Sequence, residues 1–446
     1  MSKLLITNAR LINEGTIQEL DVLVNGERIE RIAAGIPAGD GVEVIDADGK
    51  YLMPGMIDDQ VHFREPGLTN KGDLASESAA AVAGGITSFF DMPNVNPQTT
   101  TRDALNAKYE LAPGRCRGNY AFYFGATNRN IEEIKALQVN EACGIKIFMG
   151  ASTGDMLVDD SEALDNIFRE APVIVVTHCE HTPTIRDAEA AAKAQYGDNV
   201  PLEEHPNIRS ANACLLSSSS AIELARRHDA LLQVLHLTTA IEMNQFSKAP
   251  RTEKRITAEV CVHHLWFDET SYPALGTRIK CNPAIKSTAD REALRKALVD
   301  GRIDIIATDH APHTAAEKAR SYFKAPAGLP LVQHAVQSLF DLVKEGVLTP
   351  ELVVDKAAHA AADIFGIIDR GYVREGYYAD LVIVDPSRPY RVQKSNLLAK
   401  CHWSPFEGHE FSSTIDTTIV NGTVVFRDGK LTGDIVGQRM EFNRAR

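Results

Sequence analysis

Gly55-Met56-Ile57-Asp58-Asp59-Gln60-Val61-His62-Phe63-Arg64 is the stretch on which the reading of this chain turns. It opens as an apolar, strand-like run and closes in polar groups. Residues two apart in a strand project to the same face, so Gln60, His62 and Arg64 point together from its end. Gln60 and His62 are potential metal ligands. The Arg64 guanidinium can grip a carboxylate through two parallel hydrogen bonds. The expectation is a metal site that handles a carboxylate substrate.

Outward from this strand, residues 54–365 alternate between short apolar runs and Ala- and Glu-rich amphipathic stretches, as at 74–83, 131–137, 188–194, 217–227, 289–298 and 331–343. Such alternation predicts an α/β fold, a TIM-like (β/α)8 barrel with surrounding helices. A doubly wound open sheet is the alternative. No Gly-rich dinucleotide fingerprint and no Walker A sequence occurs. Residues 1–53 and 366–446 read differently, as short strands parted by turns such as Asn25-Gly26, Asn421-Gly422 and Asp428-Gly429. Two β-rich ends around a different middle predict one small β-sandwich domain built from both termini.

The composition narrows the function. The 446 residues are 44% hydrophobic and 24% charged, as in soluble globular proteins. Lys and Arg number 47 against 60 Asp and Glu, a net charge of −13 without basic clusters, so no nucleic-acid partner is expected. No apolar run is long enough to span a membrane, and Met1-Ser2-Lys3 opens no secretory leader, so a cytoplasmic setting without a membrane partner is expected. Seven cysteines, an odd number without Cys-Xaa-Xaa-Cys, fit reduced, mostly buried thiols. Cys179 beside His178 has two readings, a nucleophile or a small hydrophobe on the strand's opposite face, and the second is the ordinary behaviour of buried cysteine.

Polar residues recur where the middle strands end. Val173–Thr177 leads to His178, Leu231–Leu235 to His236, and Ile303–Thr308 to Asp309, followed by His310 and His313. Catalytic groups of such a barrel gather at that end. His62, His178, His236 and Asp309 together make a mixed nitrogen and oxygen set suited to Zn²⁺. Lys146 lies inside the apolar run Gly144–Phe148. It either reaches the barrel mouth or an acid, or burial lowers its pKa. In the second case the neutral amine can add CO₂, and the carbamate can bridge two metals. His181, His205 and His228 read as structural, and His263 and His264 stay open.

The stretches Met53–Asp58, His62–Gly67, Ala83–Thr87, Met92-Pro93-Asn94, Gly144-Ile145-Lys146, His263-His264-Leu265, Asn282-Pro283, Thr308–His313 and Ser404–Gly408 together resemble the dihydroorotases of the amidohydrolase superfamily over nearly the whole chain. Several of these motifs are shared with allantoinases and hydantoinases. The resemblance implies a metal-dependent hydrolase barrel with one or two Zn²⁺. It implies metal ligation by Gln60, His62, Lys146 as a carboxylated bridge, His178, His236 and Asp309. Asp309 would also be the catalytic acid and base. Arg64, Asn94 and His313 would bind the substrate carboxylate and Asn282 the pyrimidine ring.

The function so implied is the reversible, zinc-dependent cyclisation of N-carbamoyl-L-aspartate to L-dihydroorotate, a small-molecule reaction of pyrimidine biosynthesis. The alternatives are a related cyclic amidase, or a weakly active or non-catalytic homologue. A homodimer is expected, with association with aspartate transcarbamoylase left open. Two departures stand out. Gln60 replaces the first His of the usual His-Xaa-His pair, and Ala325–Pro330 lacks the first Gly and final Glu of the usual Gly-Xaa-Xaa-Gly-Leu-Glu stretch.

Overall fold

The computed structural model describes residues 3–150 and 156–444. Eight parallel strands form the central barrel: Met56–Val61, Ile86–Asp91, Asn119–Phe122 continued by Phe124–Gly125, Ile145–Phe148, Val175–His178, Leu232–Val234, Ile256–Cys261 and Ile305–Ala307. Nearly every residue in them is buried, as expected of strands covered by helices outside and packed side chains inside. The third strand breaks at Tyr123. Its first part pairs with the second strand and its last residues with the fourth. The ring closes where Val61 bridges His310 and His62 N–H donates to His310 O at 2.7 Å. His62 is thereby set between the first and last strands.

The helices outside the barrel start at side-chain caps that satisfy their first free N–H groups. Asp73 caps Leu74–Ala83, Ser210 caps Ala211–His228 and Ser287 caps Thr288–Val299. Leu74–Ala83 is buried almost all round, whereas Ala211–His228 and Thr288–Val299 bury a single stripe.

Nine strands from the two ends of the chain share one sheet, the β domain expected from both termini. The long strand Lys3–Asn13 holds it together. Its first half pairs with Val42–Asp46 and its second with Tyr51–Pro54, and a bulge at Thr7-Asn8 with Asn8 at φ +54° turns the chain between them. Thr414–Val420, Thr423–Arg427 and Lys430–Leu431 follow one another through two-residue turns. Asn421-Gly422 and Asp428-Gly429 occupy these with positive φ at both positions, the geometry whose twist matches the flanking strands.

Two segments beyond residue 366 leave this sheet for the barrel. Trp403 Nε1 donates to His313 O at 2.7 Å, holding the loop beside the barrel mouth. Met440 and Phe442 join Ile57, Phe90 and Phe365 in an apolar cluster with Cys143, Ile174 and Leu231, which directly precede barrel strands. The chain's end therefore stoppers the barrel where its strands begin, leaving the opposite mouth for chemistry. Among the described residues, no helix is long and apolar enough to cross a membrane.

Candidate active site

At the mouth where the strands end, a cavity is lined by Gln60, His62, Arg64, Asn94, Lys146, Phe148, His178, His236, Asn282, Asp309, Ala311, Ala327 and Gly328. Nine of the ten residues singled out from the sequence thus share one wall. The tenth, His313, lies just behind Arg64. The backbone supports this convergence under strain. Arg64, His236 and Asp309 sit at φ +70°, +39° and +50°, a region non-glycine residues seldom enter and which clusters at functional sites.

The imidazoles are oriented in pairs. His62 Nδ1 is 2.8 Å from Asn94 Oδ1, which can only accept, so that nitrogen carries the hydrogen. The lone pair of Nε2 then faces Asp309 Oδ1 at 3.2 Å. His178 Nε2 stands 3.0 Å from Glu180 Oε2, within ion-pair distance but off the angle of a hydrogen bond. Its Nδ1 lies 3.0 Å from His236 Nε2. Two potential ligand atoms therefore come together at each of two points. Burial pushes all three imidazoles below their ordinary pKa, which keeps them neutral as metal ligation demands. Burial alone would raise Glu180, yet Arg209 and His178 hold it at about 2, a permanent anion behind His178.

Lys146 is 1% exposed, and its Nζ makes no hydrogen bond among the described residues and lies 4.7 Å from the Phe148 ring centre. Burial pushes its ammonium down to about 8 against the opposing pull of Asp309 and Glu259. Donors that converge, neutral imidazoles and a readily deprotonated lysine fit a zinc site. Gln60 behaves differently from a first-choice ligand. Its Nε2 donates to Asp309 Oδ1 at 3.2 Å, and its Oε1 faces Cys261 Sγ at 3.8 Å rather than the converging donors.

Arg64 donates from Nε to Pro312 O at 3.1 Å, with Nη2 3.1 Å from His313 Nε2. Burial lowers its pKa to about 10, still far above neutrality, so a fixed cation lines the cavity. His313 is packed against two cations, Arg64 and Lys71, the latter 3.1 Å from its Nδ1. Burial and those charges hold it well below its ordinary pKa, so it is neutral. Its Nε2 donates to Ala327 O at 2.9 Å. Asn282 Oδ1 is buried without a partner among the described residues, an acceptor left for a donor in the cavity.

Beneath the floor lies a layer of buried acids. Thr308 holds Asp58 through N–H and hydroxyl bonds at 3.0 and 2.6 Å. Gln233 donates to both Asp59 and Glu259. Glu259 Oε1 accepts His236 N–H at 3.0 Å and so anchors the strained backbone of His236. Burial drives these carboxyls upward, Asp58 to about 8 and Glu259 to about 7.

Glu180, Arg209 and Lys71 escaped the sequence reading. Glu180 lies two residues after His178, the spacing of one strand face, and that signal was available. Arg209 and Lys71 reach the site from distant segments and carried no local one. His205 is confirmed as structural, its nitrogens 2.8 Å from Tyr322 OH and Cys281 O.

The sequence profile of the Amidohydrolase family matches residues 51–425. A dihydroorotase of Halobacterium salinarum is 33% identical over 427 residues, 94% of this chain and 96% of its own. One of Bacillus cytotoxicus is 32% identical over 428 residues, 95% of this chain and 98% of its own. Among solved structures, an L-hydantoinase (dihydropyrimidinase) from Arthrobacter aurescens superposes with a TM-score of 0.93 at 27% identity, covering 99% of this chain and 100% of that one.

Proposed function

Because this chain belongs to the amidohydrolase family, we propose that it is a dihydroorotase, interconverting L-dihydroorotate and N-carbamoyl-L-aspartate in pyrimidine biosynthesis. It is a cyclic amide hydrolase, like the relatives it matches over nearly its full length. The observation that carries the substrate assignment is Arg64. A buried guanidinium, lining the same cavity as the converging donors, suits a ring that bears a carboxylate.

The metal is zinc. Zn²⁺, when bound, polarises the amide carbonyl and lowers the pKa of water to about 7. His62, His178, His236 and Asp309 would hold it, supported by the paired donor distances of 3.2 and 3.0 Å. Two ions would be bridged by Lys146 as its carbamate. The neutral amine adds CO₂ by forming one N–C bond and releasing one proton, which a buried amine at about 8 allows near neutrality. Gln60 would ligate through Oε1 only after a half-turn of its amide, as a weaker ligand than imidazole.

The rest follows from side chains. Arg64 would pair with the ring carboxylate, with the Asn94 amide N–H beside it and His313 buttressing the guanidinium. Asn282 Oδ1 would accept a ring N–H. Asp309 would take a proton from the attacking water and hand it to the departing ring nitrogen, and the reverse on cyclisation. A homodimer and a cytoplasmic setting complete the reading, with association with aspartate transcarbamoylase left open.

The superposition on an L-hydantoinase favours a second reading, a cyclic amidase for uncharged rings. Hydrolysis of dihydroorotate and of hydantoin by the zinc-loaded protein separates the two. Turnover of dihydroorotate well above that of hydantoin is expected, and the opposite order selects the second reading.

A further inference from the structure

Behind Gln60, outside the donor cluster described above, lie three groups to which the reaction gives no role. Cys261 Sγ and one ring nitrogen each of His263 and His264 lie within 4.8 Å of one another, and all three residues are buried. Their hydrogen bonding is unfinished. Neither nitrogen of His263 makes a bond of ordinary length and angle, the Thr308 backbone being a looser neighbour. His264 Nε2 is 3.2 Å from Pro283 O, so it carries the hydrogen and Nδ1 is a buried lone pair without a donor. Unpartnered buried imidazole nitrogens are costly and call for an explanation. A ligating histidine whose other nitrogen donates to a backbone carbonyl is the usual arrangement at metal sites.

We propose that Cys261, His263 and His264 form a separate binding site for a borderline-soft divalent cation, of which zinc is the best match. One thiolate and two imidazoles are the donors such a cation prefers. Bond lengths of about 2.3 Å to sulfur and about 2.0 Å to nitrogen require the three atoms to draw in by about 1 Å from their widest separation. Binding replaces the thiol proton, which leaves to solvent. The surroundings favour a positive charge. Glu259 Oε1 is 3.6 Å from Cys261 Sγ, and Asp309 contributes further negative field at that sulfur. Entry is through the cavity, since Gln60, 3.8 Å from the sulfur, lines its wall.

The test uses the full chain, stripped with chelator and reloaded with cobalt(II) or zinc. Cobalt-loaded protein should show a thiolate-to-cobalt charge-transfer band in the near ultraviolet. The band should vanish in Cys261→Ser, and that variant should take up one zinc fewer per chain. It should survive in His236→Ala, which removes a cavity donor, and in Cys281→Ser, whose sulfur lies 3.8 Å from His264 Nε2. Zinc-edge X-ray absorption of the unaltered protein provides a reading independent of any variant's folding, with a sulfur neighbour expected at about 2.3 Å. No band and no sulfur neighbour in the unaltered protein would overturn the site. So would a band lost in Cys281→Ser and kept in Cys261→Ser.

Discussion

His178 Nδ1 stands 3.0 Å from His236 Nε2, and the far nitrogen of His178 stands 3.0 Å from Glu180 Oε2. The carboxylate stands behind His178, whose other nitrogen lies at the point that His236 also faces. Glu180→Gln keeps the shape and removes the charge that Arg209 stabilises. Metal affinity should fall by about 10–100-fold, measured by competition with a chromogenic chelator. Unchanged affinity would mean that packing alone orients His178.

Arg64→Met removes a buried cation that lines the cavity but touches none of the converging donors. Binding of dihydroorotate should weaken by roughly 2–5 kcal/mol while zinc content stays constant. Zinc lost in parallel would assign Arg64 to holding the site together instead.

Lys146 gives a pH dependence. Its ammonium, free value 10.5, is pushed down to about 8 by burial. Between those values the unfolded chain binds the proton and the unmodified folded protein does not, so the stability contributed by this group rises with pH across that window. Carbamate formation draws on the neutral amine. The rate of activation of stripped protein by zinc at a fixed concentration of dissolved CO₂ should therefore climb about tenfold per pH unit below 8 and level off above it. A flat profile from pH 6.5 to 9 would argue against the carbamate. Lys146→Ala should lose metal and recover part of it with short carboxylic acids.

Gln60 donates to Asp309 and turns its oxygen to Cys261, so the ion beside His62 should be held less tightly than the ion beside His178 and His236. Chelator titration should remove zinc in two steps, and Gln60→His should merge them and raise activity at limiting zinc. One step in both proteins would show that the amide costs nothing.

The barrel was legible because its strands are buried runs and its helices carry apolar faces, and His62, His178, His236 and Asp309 were legible because they sit where those runs end. Lys146 announced itself as a charge inside an apolar strand. What escaped depends on contacts far apart in sequence. Asn94 orients His62 across 32 residues and Arg209 meets Glu180 across 29. The sandwiching of His313 between Arg64 and Lys71 has no local pattern at all. The helix Thr182–Tyr196 begins well before the apolar stretch at 188, because Pro183 presets its first turn. The bulge at Thr7-Asn8, which lets one strand serve two parts of the terminal sheet, rests on a single left-handed asparagine and leaves no trace in hydrophobic alternation.

The central claim is that Asp309, within the donor cluster and lining the same cavity as Arg64, moves the proton in opening and closing dihydroorotate. Steady-state turnover of dihydroorotate by zinc-loaded wild type and Asp309→Asn, at matched zinc content, tests it most directly. The account predicts efficient turnover by the wild type, little on hydantoin, and a loss of several orders of magnitude in kcat for the variant, since one group serves as both base and acid. A variant that turns over dihydroorotate at the wild-type rate, or a wild type active on hydantoin and inert toward dihydroorotate, would contradict it.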